Sequence, residues 1–294
     1  MNREKILKAG KIASEVRNWI KPQIKKGTPL IEIVEKIEAQ IFKLGGKPAF
    51  PTSLSIDETA AHSTPSHDSS EKARGLVKVD FGVSIDGWIS DNAFSVDLEN
   101  SEENKKLIKA SEKALENAIK TIKKGIKSRE IGKTIQETIE SLGFSPIVNL
   151  SGHKIEQYDL HAGISIPNFD NSNDLEIPEG LYAIEPFATL STGSGKVKDG
   201  KPSGIYMLTE EKNIRNPTAK EILGFIIEEY QTLPFCSRWI VKKFGTRALI
   251  ALNQLEENGN LHHFAQLIES SKNKVSQTEH TILVEKDKII VTTA

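Results

Sequence analysis

The sequence predicts an α+β fold made of two related halves, and three observations carry that prediction. Amphipathic helical patterns come in pairs, at 3–45 and at 101–143. Apolar, strand-like runs bounded by turn residues separate and follow them. The helix pairs also match each other: "IKKG" at 24–27 recurs as "IKKG" at 122–125, an offset of 98. At that offset Glu32 meets Glu130, Ile33 meets Ile131, Ile37 meets Ile135 and Ile41 meets Ile139; Leu44-Gly45 then meets Leu142-Gly143, and Pro48 meets Pro146. Helix pairs that merely share caps and apolar periods are one explanation. The reading preferred here is an internal duplication, two pseudo-symmetric α+β halves about a pseudo-twofold axis. Ligand sites favour the seam between such halves.

Each element has its own signal. Residues 3–26 read as a helix with Ile6, Ala9, Ala13, Val16 and Ile20 on one face, stopped by Gly27 and kinked or split by Pro22. Thr28 reads as the N-cap of a second helix, with Pro29 at its first position and Gly45 at its end. Ser101 caps a third helix, ending at Gly125, and Ser128 caps a fourth, ending at Gly143. Short strands follow in "PIVNLSG", "LYAIEPFATL" and "GIYMLTEEK". Residues 216–270 read as helical, with a start at Asn216-Pro217, a cap at Thr246 and a stop at Gly259. Because strand-rich sequence flanks it, the block 216–258 reads as an insertion. The chain closes on a hairpin over Glu285 to Lys288.

Composition sets the limits. The chain has 294 residues, a formal net charge of -1, 37% apolar and 27% charged residues. That is an ordinary globular composition, long enough to bury a substantial core without staples. No apolar run approaches the roughly 20 residues that span a bilayer, and "MNREKILKAGKIASEV" is charged and amphipathic, unlike a signal peptide. No membrane partner is expected, and the near-neutral balance argues against bulk nucleic-acid binding. The one cysteine, Cys236, cannot form an internal disulfide; it reads as a core residue and fits a reducing, cytoplasmic setting.

Chemistry enters at "VKVDFGVSIDGWISDNAFSVDL", residues 77–98, where four aspartates lie in strand-like sequence. If Asp86-Gly87 is a two-residue turn, Ile85 pairs with Trp88, Gly82 with Asp91 and Asp80 with Ala93. Asp80 and Asp91 then share a face as diagonal neighbours, roughly 7–8 Å apart at the backbone, while Val79, Phe81, Val83 and Ile85 take the other. Carboxylates that close repel unless a cation or a shared proton lies between them. A salt-bridged pair or a register slipped by one are the alternatives. Asp86 belongs to the turn and Asp97 to the strand end, so both read as structural. "SGHKIEQYDLHAG" places His153 and His161 in a glycine-flanked, loop-like stretch. "LYAIEPFATL" and "SQTEHTILVE" place Glu185 and Glu279 in apolar strands, where a bare charge is costly. Two Asp, two Glu and a His together look like a dinuclear site, and such oxygen-rich ligation suits Mn, Fe, Co or Zn better than a structural zinc.

"KPAFPTSLSIDETAAHSTP", the Asp80/Asp91 pair, "NLSGHKIEQYDLHAGISIPN", "AIEPFAT" and "TEHTILVE" resemble the type 2 methionine aminopeptidases. The resemblance covers essentially the whole chain and is nearest to the short archaeal form, since the charged N-terminal extension of the eukaryotic enzymes is missing. It implies the pita-bread (creatinase/aminopeptidase) fold, a single catalytic domain over 1–294, and a helical, winged-helix-like insertion at 216–258 of the kind that separates type 2 from type 1. It further implies two divalent metal ions, bridged by Asp91 and Glu279, with Asp80 completing one and His153 and Glu185 the other. Glu185 is then the proton carrier and His161 the donor to the oxyanion. His62, expected as an exposed imidazole, positions the substrate amide. Phe50 and Leu160 are candidates for the pocket that holds the methionine side chain. His67, His262, His263 and His280 are left structural.

The implied activity is removal of N-terminal methionine from nascent proteins and peptides, with a small second residue preferred. The resemblance also implies a cytoplasmic monomer and leaves open an encounter with the ribosome. An X-Pro dipeptidase of the prolidase type would use the same five ligands, but usually carries an extra N-terminal domain. A non-catalytic binding protein on the same fold would have lost ligands, and all five residue types are present here.

Overall fold

The structure, a computed structural model, describes every residue except Lys124 and Asp287. Helix α1 (Arg3–Ile20), a 3-10 turn (Lys21–Gln23) and α2 (Leu30–Lys43) open the chain. Strands β1 (Lys47–Pro48), β2 (Ser53–Ile56), β3 (Thr59–Ala61), β4 (Leu76–Ile85) and β5 (Trp88–Asp97) follow. The second helix pair is α3 (Glu102–Thr121) and α4 (Ser128–Ser141). Next come β6 (Phe144–Pro146), β7 (Ser151–Ile155), β8 (Ser165–Pro167), β9 (Gly180–Ile184), β10 (Phe187–Leu190) and β11 (Val197–Leu208). Helices α5 (Pro217–Glu229), α6 (Ser237–Phe244) and α7 (Ala248–Glu257) enclose the short β12 (Phe235–Cys236). Strands β13 (Leu261–Glu269), β14 (Val275–Gln277), β15 (Glu279–Glu285) and β16 (Lys288–Val291) complete the chain.

The largest sheet runs β1-β4-β5-β15-β9-β7-β8, with β2 on β4 and β16 on β15. β5 belongs to the first half and β9 to the second, so β15 closes the seam between them. On one side of the seam α1 and α2 bury Ile12, Val16, Ile33 and Ile37 against Val79, Phe81 and Val83. On the other, α3 and α4 bury Leu107, Leu115, Ile131 and Ile135 against Tyr182, Ile184 and Ile282. Each such side chain is worth about 1.5–3 kcal/mol when removed from water.

The duplication holds at the level of backbone. Helix α4 lies 98 residues after α2 at both ends, and Gly45 and Gly143 stop the two helices at φ of +81° and +84°. Asp86 sits in the hairpin turn at φ +48°, and Asp97 accepts from the Ser101 amide and the Asn104 side chain at 2.7 Å each, at the start of α3.

Several expectations shift, each for a physical reason. Pro22 ends α1 at Ile20, and residues 21–23 form the 3-10 turn. Pro29 is extended, with ψ of 132°, and α2 starts at Leu30. Thr28 cannot cap it, because the backbone at 28–30 is hydrogen-bonded to Glu71 and Ala73. The same exchange recurs in the second half: Ser128 is the first residue of α4 and gives its amide to Leu175. The Ser101 cap is found as expected, accepting from the Asn104 amide at 3.3 Å, but α3 ends at Thr121; Lys124, within the expected end of that helix, lies outside the described residues. Asn216 caps α5, accepting from Thr218 and Ala219. Residues 261–269, read as helix, are strand β13, which pairs with β11 and β3. Thr246 lies in a turn ahead of α7, whose first residue is Ala248. The last hairpin pairs Glu285 with Lys288 as read, and Asp287 in its turn lies outside the described residues.

Helices α5–α7 share a core of Ile222, Ile226, Ile240, Leu252 and Leu255 with Phe235 and Tyr206. Cys236 lies beside it, fully buried, with burial pushing its thiol up to about 12.

Candidate metal centre

The hairpin of β4 and β5 has the register read from its two-residue turn: Ile85 opposite Trp88, Gly82 opposite Asp91 and Asp80 opposite Ala93. Asp80 and Asp91 therefore share the face away from the helices. Gly82 has a further use on that face, since a Cβ there would stand 2.4 Å from the Phe50 ring. Its bareness lets Phe50 lie across the hairpin. Strand β15 sets Glu279 opposite Ala93, and Thr281 fixes Asp91 by exchanging two 2.7 Å hydrogen bonds with its backbone.

The second half supplies the rest. His153 lies in strand β7, where the sequence suggested a loop, opposite Ala183 of β9. Glu185 stands between β9 and β10, where the chain leaves the large sheet for the three-stranded one, and so lies at a strand break instead of within a strand. His153 Nε2 is 3.6 Å from an Asp91 oxygen and 3.7 Å from a Glu185 oxygen. Asp91, His153 and Glu279 can each bring one ligand atom within 4.8 Å of the others.

Electrostatics make this group unstable by itself. Burial, and next the charge of Asp80, hold the Asp91 carboxyl well above the usual carboxylate range. Burial followed by the charge of Asp91 does the same to Glu185 and Glu279. Asp80 is raised to about 7 by burial, against a hydrogen bond from Gln277. His153 is lowered to about 3, first by burial and then by the nearby His161. An Asp80 oxygen, an Asp91 oxygen and a Glu279 oxygen are buried with no hydrogen-bond partner among the described residues. Four carboxylates and one imidazole with lone pairs left over form a donor set that divalent cations fit.

The nine residues singled out by sequence meet here. Asp80, Asp91, His153, Glu185, Glu279, His62, His161, Phe50 and Leu160 all line one cavity of about 340 Å³. His161, in the loop between β7 and β8, stacks edge-on to His153 with ring centroids 4.4 Å apart. His62 corrects one expectation: it is half-buried, edge-on to Phe264 at 5.4 Å, and burial lowers it to about 4. It is therefore neutral at pH 7. His67, His262, His263 and His280 do not line the cavity.

Sequence reasoning missed Gln277, whose Nε2 donates to Asp80 at 3.2 Å and to Glu185 at 3.4 Å. It ties a carboxylate of one half to a carboxylate of the other. Its signal was its place two residues before Glu279, on the same face of an extended chain. Pro234, Ile205, Phe264 and Leu267, which also line the cavity, had no motif to mark them, and Asn149 opened a quoted motif without being singled out.

The chain is similar to several known proteins. The chain is 45% identical to a methionine aminopeptidase of Pyrococcus abyssi over 298 residues, covering 100% of both chains. It is 45% identical to that of Methanocaldococcus jannaschii over 293 residues, covering 99% of this chain and 98% of the other. Among solved structures, a thermophilic Arx1 superposes with a TM-score of 0.83 at 15% identity, covering 98% of this chain and 89% of that one. The methionine aminopeptidase of Thermotoga maritima gives 0.71 at 23% identity, covering 100% and 98%. The prolidase of Pyrococcus furiosus gives 0.63 at 17% identity, with 99% of this chain against 63% of that one. These likenesses fix the pita-bread fold. The profile described as Metallopeptidase family M24 matches residues 4–286, and a buried cluster of carboxylates and imidazole built for divalent ions is what that name requires: the chain belongs to metallopeptidase family M24.

Proposed function

We propose that the chain is an aminopeptidase that removes the N-terminal methionine from proteins and peptides by hydrolysis assisted by two divalent ions, with a small second residue preferred. Full-length relatives named methionine aminopeptidase support the activity. The observation that carries the mechanism is the convergence of five ligand-type side chains, Asp91, His153 and Glu279 buried and Asp80 and Glu185 nearly so, with unpartnered oxygens, beside an apolar recess.

In this reading Asp80, Asp91, His153, Glu185 and Glu279 would together hold the two ions. The ions, Co, Mn, Fe or Zn, supply Lewis acidity that lowers the pKa of water and polarises a carbonyl. The chain supplies everything else. Phe50 and Leu160 receive the methionine side chain. His62, neutral in its apolar setting, positions the amide beside the scissile bond. His161 donates to the oxygen of the carbonyl as it gains charge. Glu185 takes a proton from the attacking water and returns it to the amide nitrogen as the C–N bond breaks. Gln277 holds Glu185 and Asp80 in place while this happens. In the same reading the block 216–258 is an insertion within one catalytic domain, and the protein works as a cytoplasmic monomer on nascent chains.

Metal-reconstituted turnover tests the reading. Met-Ala-Ser should be cleaved readily, Met-Leu-Ser poorly and an X-Pro dipeptide not at all. Faster turnover of the X-Pro dipeptide would overturn it in favour of a prolidase.

A further inference from the structure

His62 and His161 both sit on loops, and the helical block touches both. The His161 loop is held at Tyr158, whose amide donates to Gly87 in the β4–β5 turn at 2.9 Å. Its carbonyl accepts from the Thr232 hydroxyl, just beyond α5. Tyr158 has a φ of +59°, and Gly87 must be bare because a Cβ there would stand 2.3 Å from the Tyr158 ring. Next to Thr232, Leu233 packs with Leu160, Phe50 and Trp88.

The His62 loop is held three residues on. Pro65 gives its carbonyl to Arg238 Nε of α6 at 3.3 Å. The other guanidinium nitrogens of Arg238 clasp Glu38 of α2 at 2.8 Å each, and Trp239 Nε1 adds a bond to Glu38 at 2.9 Å. Arg238 is 3% exposed. On its other flank the loop is tied by Thr64 to Thr52 at 2.9 Å and by Ser63 to Ser53 at 3.0 Å. His62 has a φ of +56°, a conformation that a side chain keeps only where its surroundings over-determine it.

We propose that the helical block α5–α7 is a brace for the two histidine loops, with Thr232 positioning His161 and Arg238 positioning His62. A side chain on a free loop wanders by more than catalysis tolerates, because displacing a reacting group by about 1 Å can cost about 100-fold in rate. The strand-borne ligands need no such help, since the sheet fixes them. The two loops are tied to neighbouring strands at few points, among them Ala162 to Lys154 of β7 at 2.8 Å and Leu54 of β2 to Ser63 at 2.6 Å, and the block adds one buried or well-placed donor to each. The importance of this for turnover rests on the roles proposed above for His62 and His161; the bracing itself does not.

Two variants separate the arms. Thr232→Val removes the hydroxyl donor, and Arg238→Lys keeps the charge beside Glu38 while removing the donor to Pro65. Zinc-loaded protein is read by ¹H–¹⁵N spectra of the histidine rings, together with metal content, melting temperature, and kcat and KM on Met-Ala-Ser. Thr232→Val should move the His161 signals and leave those of His62; Arg238→Lys should do the reverse. Both should keep their metal, and kcat should fall by about 10- to 100-fold with little change in KM. Wild-type ring signals in both variants would overturn the brace. Moved signals with unchanged turnover would uphold the brace and overturn the histidine roles. If Arg238→Lys fails to fold, Glu38→Gln loosens the same anchor, and an unmoved His62 signal there overturns the assignment.

Discussion

Two clusters of charge are withdrawn from water in this molecule, and they are built in opposite ways. Glu38 with Arg238 and Trp239 is closed: both carboxylate oxygens accept, and all three Arg238 nitrogens donate, Nε to Pro65 and the other two to Glu38. The group of Asp80, Asp91, His153, Glu185 and Glu279 is open, with four acids against one imidazole and oxygens that meet no partner among the described residues. A closed cluster takes all its partners from the chain, so it is architecture. An open one is held in an unfavourable state by the rest of the fold, and its remaining partners must come from outside the chain.

The largest effect that can break this comparison is at Asp91, proposed above as a metal ligand. Asp91→Asn should abolish activity and metal binding, a loss beyond the roughly 10- to 100-fold that outer-shell residues give. The fold should survive, because the substitution relieves repulsion. Metal content by mass spectrometry and circular dichroism test this, and wild-type turnover by the metal-loaded variant would sink the open-cluster assignment.

The closed cluster should respond in the other way. Arg238→Met alone leaves Glu38 buried without its partner and should cost about 3–5 kcal/mol, whereas Arg238→Met with Glu38→Met should recover most of that. Urea unfolding of both variants measures it. A single variant no worse than the double would mean that the pair is not closed as described.

The smallest effect is in pH. Asp80 in the folded chain titrates near 7, well above the ordinary 3.8, and Asp91, Glu185 and Glu279 are raised too. The folded state then binds more protons than the unfolded one, so the metal-free protein loses stability as pH rises. His62 and His153 are lowered from the ordinary 6.5 to about 4 and about 3, which acts oppositely, but only below pH 6.5. From there upward the opposing group is Lys78, which burial lowers from the ordinary 10.5 to about 7, so it acts above pH 7. Relative to the metal-loaded protein, which keeps the Lys78 dependence, the chelated protein should lose up to about 1.4 kcal/mol per pH unit for each extra proton its carboxylates hold. Equal slopes with and without chelator would contradict the open cluster.

The open cluster was largely legible in the sequence because its geometry follows from a turn. Asp86-Gly87 fixes the hairpin register, which places Asp80 and Asp91 on one face, and the structure keeps that register over all ten pairs. What failed to show was set by contacts distant in sequence. Thr28 and Ser128 look like caps, but neighbouring backbone recruits both. Residues 261–269 carry no period strong enough to declare a strand, and it is β11 that makes them one. The closed cluster was invisible: nothing near Glu38 hints that its partner lies 200 residues further on.

The central strand of the large sheet, β15, is also nearly the last to be made. During synthesis β5 and β9 each wait with a bare edge, and the candidate ligands of the two halves have no common frame until Glu279 arrives. Unpaired edges of this kind invite wrong pairing, and contacts of such sequence separation close slowly. The candidate centre is therefore assembled after translation of both halves, and a chain stalled before residue 279 carries four of its five proposed ligands without a site.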